Sequence, residues 1–336
     1  MICLLSKEEK FVTVLDSKEQ YTSSHCNARR LVVHRRAQPL ASTSTLQARS
    51  FNAMCSVDLL PSLSCFEVLR VLALEGNDTL TKCSYNLEHV GKLVHLRHLK
   101  LGRIGISKLP KEIGHLKFLL VLDLGRNSIW ELPESIGRLS ELKCLNICET
   151  DIEVPYWIGN LTSLKELCLG RVHGHSNFVI ELGKLTELSK LRIFKSVYVH
   201  GDSRMNSWAK SVAKLSKIQV IDIGLVVGCR DSSHKENPWE QYVLSPQLRV
   251  LHMSYPEPGL VARINPSLLP NLSHLKLHVY SPDMEPSSWR RCQLSTMTPL
   301  AVQVHSPSIG TSRQKQHLTR FKWGICRSWN HSSLRS

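Results

Sequence analysis

Aromatic side chains are scarce in this sequence, only 6% of its 336 residues. Such scarcity disfavours an aromatic-rich sandwich or a ligand barrel. The 42% hydrophobic content is instead aliphatic and evenly spread, as an elongated fold requires. No stretch approaches ~18 uncharged apolar residues, so no helical membrane span is expected. The opening MICLLSKEEK reaches Lys7 and Glu8 before a signal-peptide apolar region can form, and the expected location is cytoplasmic. Cysteine occurs 11 times, yet C-x-x-C is absent and no framework spacing appears, which favours reduced thiols. Cys144 and Cys148, the closest pair, would sit four residues apart on one strand, beyond easy disulfide geometry, and read as inert.

Catalytic signatures are missing too. There is no H-E-x-x-H, no G-x-S-x-G, no zinc-spaced Cys/His set and no Rossmann glycine fingerprint, so neither an enzyme nor a cofactor is expected. His173-Gly-His175 lacks a third metal ligand nearby and reads as two solvated residues. The net charge of +15 invites a nucleic-acid reading until it is located. Residues 1–50 hold 8 Lys/Arg against 4 Asp/Glu, residues 286–336 hold 8 against none, and residues 51–285 hold 27 against 24. A body so nearly balanced is no general polyanion binder, and nucleic-acid binding is not expected on this ground.

What is abundant is a repeat. Phe66-x-x-Leu69-x-x-Leu72-x-Leu74 recurs as Leu93, Leu96, Leu99, Leu101 and as Leu116, Leu119, Leu122, Leu124. The frame continues through Leu145, Leu167, Leu191 and Ile221, with looser copies around Leu251 and Leu275. From Leu72 onward the spacings are 27, 23, 23, 22, 24, 30, 30 and 24 residues. L-x-x-L-x-L describes a short strand with alternate side chains inward, followed by a turn and a return segment one rung along. One rung cannot bury its own apolar face, but stacked rungs align the leucines into a continuous ladder. The predicted fold is therefore an α/β repeat solenoid with a parallel concave sheet and an irregular or short-helical convex side.

Between strands, Ile106-x-x-Leu109-Pro110-x-x-Ile113-Gly114-x-Leu116 recurs as Ile129, Leu132, Pro133, Ile136, Gly137, Leu139 and as Ile152, Val154, Pro155, Ile158, Gly159, Leu161. Proline fixes φ and removes a donor, which predicts extended chain or one helical turn rather than a second sheet. Asn77 and Asn127 follow their strands where an amide can satisfy turn backbone groups, and Thr150 replaces them one rung later. Upstream, residues 28–33 and 46–51 read as short strands of degenerate first rungs within a connecting or capping segment, 1–50. The repeats occupy 51–279. The long spacings insert 196–214, helical around Ser207–Leu215, and 224–243, loop-like over 229–238. Residues 280–336 lose the period and read as a disordered basic tail.

Residues 66–194, with their I-x-x-L-P-x-x-I-G-x-L links, closely resemble the leucine-rich-repeat domain of plant coiled-coil nucleotide-binding (NB-ARC) disease-resistance proteins. The looser rungs to Val279 and the upstream stretch from Phe11 fit the same pattern. The resemblance implies a horseshoe solenoid working in innate immunity. Its partners would be the receptor's own NB-ARC module, a pathogen effector or a guarded host protein. No phosphate loop is present, since Gly91-Lys92 and Gly183-Lys184 are each followed by leucine. The expectation is accordingly a truncated receptor. The alternatives are an intracellular scaffold of small-GTPase-type signalling, which shares the ~23-residue L-P-x-x-I link, and a receptor ectodomain fragment, for which an entry signal is lacking.

Positions flanking the inward leucines should face solvent on the sheet. The column after each strand reads Arg103, Arg126, Glu149, Arg171, Lys195, and the strands add Lys100, Lys190 and Arg192. Rungs lie well inside the ~8 Å Debye length of physiological salt, so like charges stacked this way favour an anionic protein surface as partner. Glu149, Asp123 and Glu166 oppose this by neutralising part of the stripe. Phe194 beside Lys190, Arg192 and Lys195 is the candidate anchor, because exposed aromatics and arginines are enriched at binding hot spots.

Overall fold

A computed structural model describes residues 12–15, 28–33, 46–54, 60–76, 85–150, 152–170, 172, 177–194, 197–199, 202–224, 226–228, 241–254, 260, 264 and 267–278. The strands are β1 (Thr13–Leu15), β2 (Arg30–Val33), β3 (Ser50–Ala53), β4 (Val71–Glu75), β5 (His98–Gly102), β6 (Val121–Asp123) and β7 (Cys144–Ile147). They continue as β8 (Glu166–Leu169), β9 (Lys190–Ile193), β10 (Val197–Val199), β11 (Val220–Ile223), β12 (Val226–Gly228), β13 (Val250–Ser254) and β14 (His274–His278). Twelve of them form one sheet in chain order, β10 and β12 standing apart as a pair. Each neighbouring pair is parallel, as expected when every strand returns to the same edge through a link.

Register turns the sequence frame into a core. Leu72 pairs with Leu99, Leu99 with Leu122, Leu122 with Leu145, and the row runs on through Leu167, Leu191, Ile221, Leu251 and Leu275. All nine side chains are buried. Burying one leucine stabilises by about 1.5–3 kcal/mol, so the ladder's strength comes from summation along the stack. The first leucines of each copy also face inward. Leu116, Leu119, Leu122 and Leu124 are all fully buried, and the Leu119 N–H donates to the Leu116 carbonyl at 2.9 Å to close the turn entering β6.

The links are 3-10 turns at Lys111–His115, Glu134–Arg138 and Tyr156–Asn160. Pro110, Pro133 and Pro155 cap their N-termini in extended backbone, where no donor is needed. The turns stack closely: a Cβ on Gly114 would lie 2.5 Å from the Ser135 Cβ of the next link, so that position admits only glycine. Asn127 joins rungs as its position predicts. Its Nδ2 donates to the carbonyls of Leu101 (2.5 Å) and Leu124 (2.9 Å), and its Oδ1 accepts from the N–H groups of Ile104 (3.2 Å) and Ile106 (3.3 Å). Thr150, its replacement, makes one such bond, Oγ1 to the Ile147 carbonyl at 2.7 Å.

Several details differ from the sequence expectations. The second upstream strand is Ser50–Ala53, while Leu46 makes a bridge to Phe66. The two long insertions are not helix and loop alone. Val197–Val199 pairs in parallel with Val226–Gly228, forming a small second sheet, each segment following its strand after a few residues. The inserted helix begins at Asp202, earlier than its apolar period indicated, and buries Trp208, Ala209 and Val212 in the common core. Residues 229–238, 280–336, Asn77, His173 and His175 lie outside the described residues.

Candidate interaction surface

The solvent face of the sheet is organised by the same register. One cross-strand row runs Lys100, Asp123, Asn146, Cys168, Arg192, Asp222, His252, Lys276. A parallel row places Glu166 beside Lys190. Phe194 follows β9 and is 50% exposed, against the complete burial of its neighbour Ile193. It lies two residues beyond Arg192 and therefore on the same face.

The cations are partly spoken for. Lys190 Nζ reaches Glu166 Oε2 at 3.1 Å, Arg126 Nε reaches Glu149 Oε1 at 3.1 Å, and Arg192 Nε stands 3.7 Å from Asp222 Oδ2. Each pair crosses one rung, so the sign alternation along the sheet neutralises the stripe locally. Glu149 raises the Arg126 guanidinium further through its hydrogen bond and its charge. Arg192 Nε is shielded from water and has no hydrogen-bond partner, its contact with Asp222 being too long for one. Lys100 and Arg103 make no ion pair among the described residues. Arg171 and Lys195 lie outside the described residues, so the column is seen from Arg103 to Glu149 only.

Sequence reasoning missed two things here. Asp222 belongs to the next rung, 30 residues beyond Arg192, in the leucine frame but past the flanking positions read from Arg103 to Lys195. The cysteines are also less alike than their shared face implied. The Asn146 side chain, itself donating to Asp123 Oδ1 at 2.9 Å, accepts the Cys148 backbone N–H at 3.1 Å. A hydrogen bond from the Cys168 thiol on the next rung brings the Cys148 thiol down to about 7, with Asn146 assisting and burial opposing. Cys168 is pushed up by the same contact and by burial, and burial with Glu166 pushes Cys144 up to about 11. Cys148 is thus the acidic thiol of the face, contrary to the reading of both Cys144 and Cys148 as inert.

Strands repeated in parallel, with leucines inward and the opposite face of the sheet open, define a leucine-rich-repeat solenoid. The chain belongs to the leucine-rich repeat region family, whose model matches residues 47–285. Similar solved structures include an internalin (inlF) from Listeria monocytogenes, 16% identical, covering 80% of each chain with a TM-score of 0.47. Another is the plant peptide hormone receptor RGFR1 in complex with RGF2, 16% identical with a TM-score of 0.44, matched over 88% of this chain and 46% of the receptor. A leucine-rich-repeat protein of Leptospira interrogans is 15% identical over 86% of this chain and 95% of its own, with a TM-score of 0.41. Membership of the repeat family makes this chain a protein-interaction module. No helix among the described residues is long and apolar enough to cross a membrane.

Proposed function

We propose that this chain is the interaction module of an intracellular plant immune receptor of the coiled-coil NB-ARC class, serving effector perception and autoinhibition from the cytoplasm. The proline-and-glycine links support the reading, since I-x-x-L-P-x-x-I-G-x-L is the pattern by which the sequence resembles that class. The partner surface is the sheet face around Lys100, Arg103, Arg126, Arg171, Lys190, Arg192, Phe194 and Lys195, and the partner presents acidic groups to it. The observation that carries this is Phe194, a half-exposed aromatic beside Lys190 and Arg192. Arginine suits the task because its planar fork pairs bidentately with carboxylates. The already paired cations would exchange Glu149, Glu166 or Asp222 for a partner carboxylate, so Lys100 and Arg103 give the larger share of association rate. Deleting 286–336, which carry none of the repeat period, is expected to leave the melting temperature unchanged.

The test is co-expression with an NB-ARC module of the coiled-coil class. A variant carrying Lys100→Glu, Arg103→Glu and Phe194→Ala loses pull-down of that module while melting like the parent. Undiminished capture would place the interaction elsewhere, on an edge, the convex side or the inserted segments.

A further inference from the structure

We propose a second site at the opposite end of the strands: a cleft on the N-terminal edge of the sheet that takes a small polyanion of the diphosphate class, held by Arg29, Arg49 and Arg70. These arginines stand immediately before β2, β3 and β4, and Arg97 continues the column before β5. Their backbones are locked in register. The Arg29 carbonyl accepts from Arg49 N (2.8 Å) and Ser50 N (3.2 Å), the Arg49 carbonyl from Arg70 N (2.8 Å) and Val71 N (3.0 Å), and the Arg70 carbonyl from Arg97 N (2.8 Å) and His98 N (3.0 Å). The side chains therefore leave one edge at the rung spacing, ~4.7–4.9 Å apart at their roots. Together with Gln47, Val68 and His95 they line a cleft of about 320 Å³.

Charge separates this stretch from the rest of the column. None of the residues lining the cleft is a carboxylate. At the rim, Glu67 accepts a hydrogen bond from Gln47 Nε2 at 3.1 Å. Farther along, Lys143 and Lys165 occupy the equivalent edge positions, but there Glu187 answers them. Its carboxyl is held low first by a hydrogen bond from Lys217 and then by the charges of Lys217, Lys165 and Lys143. Arg29, Arg49 and Arg70 make no ion pair among the described residues. Arginines on adjacent rungs stand within the ~8 Å Debye length and repel one another unless an anion sits between them.

The cleft's dimensions select the ligand. Two rungs separate Arg29 from Arg70, roughly 10 Å at their roots, and one phosphate bound bidentately by two adjacent arginines leaves the third idle. A second phosphoryl group uses it. A nucleic-acid backbone is a poorer fit, because Leu120 before β6 ends the run after four arginines. This edge lies at the far end of the strands from Arg103 and Arg126, so the site stands or falls separately from the proposed partner face.

Calorimetry on the full chain at fixed ionic strength tests it, with inorganic pyrophosphate as probe and monophosphate, sulfate and a 12-nucleotide single strand as comparators. The expected result is one-to-one binding of pyrophosphate at least about tenfold tighter than monophosphate or sulfate. Arg49→Ala and Arg70→Ala each weaken it about tenfold, and Lys143→Ala with Lys165→Ala leaves it unchanged. Arg49→Lys keeps the charge but loses the fork, so it weakens binding as well and serves if an alanine variant melts early. Absence of pyrophosphate binding, equal affinity for sulfate, or a weakening by the combined Lys143→Ala, Lys165→Ala change as large as that by Arg49→Ala overturns the site in favour of diffuse electrostatics. Tighter binding of the oligonucleotide through the same arginines overturns it in favour of a nucleic-acid groove.

Discussion

Arg126 and Glu149 occupy equivalent positions on adjacent rungs, both in left-handed backbone, with φ of 62° and 53°, and their side chains meet at 3.1 Å. Arg103, one rung earlier, shares the conformation with φ 53°. The chain must turn sharply as it leaves each strand, and the left-handed region accomplishes this at a steric cost that glycine escapes. Charged residues hold the position instead, which projects them from the end of the strand where a partner can meet them.

Glycine substitution should separate strain from pairing. Arg103→Gly raises the melting temperature, because it relieves the left-handed backbone and removes no ion pair among the described residues. Arg126→Gly raises it less, since the bond to Glu149 is lost at the same time. Equal shifts would mean that the pair contributes nothing, in line with many exposed ion pairs.

Asn127 is the stronger structural joint. Asn127→Ala strands two buried N–H groups and removes the donors to Leu101 and Leu124, a loss of several kcal/mol. Asn127→Asp is hardly better, because a carboxylate still accepts from Ile104 and Ile106 but donates nothing and buries a charge. Urea melts of the two variants check this, and an aspartate variant as stable as the parent would show that the donated bonds are dispensable.

Much of this architecture is legible in the sequence because a leucine at fixed spacing has one job. Leu72, Leu99 and Leu122 were placed in one row by counting alone, and the register bears this out. Prolines 110, 133 and 155 likewise announced the 3-10 links. What spacing does not carry is contact between side chains of unlike rungs. The pairing of Arg192 with Asp222 crosses an insertion, and the pairing of β10 with β12 joins two segments outside the leucine frame. The edge arginines were readable, one residue after the second leucine in Leu69-Arg70 and Leu96-Arg97, but only a cleft distinguishes them from a solvated column.

Cys148 should be the first thiol on the sheet face to react. Iodoacetamide labelling followed by peptide mapping is expected to show its rate rising through a midpoint near 7, while Cys144 stays largely protonated until about 11. Cys168→Ala removes the donated hydrogen bond and moves the Cys148 midpoint upward, because burial then acts with less opposition. Unchanged labelling in that variant would show that the two thiols do not communicate.

His252 gives the sheet face a pH dependence whose sign follows from its surroundings. Burial lowers its pKa below the ordinary 6.5; Asp222, 3.9 Å from Nδ1, acts to raise it, and Lys276, His274 and Arg192 act with burial. The net direction is downward, so the unfolded chain takes up a proton at this position more readily than the folded one. Its contribution to stability is therefore present above pH 6.5 and is lost as the pH falls through the lowered folded value. His252→Gln removes the linkage while leaving the core residues Leu251 and Met253 in place. Thermal melts between pH 7 and pH 5 should fall less steeply for this variant than for the parent. A steeper fall would mean that Asp222 outweighs burial and that His252 is held charged in the folded state, making the Arg192–Asp222–His252 row a paired cationic cluster rather than a face that repels added protons.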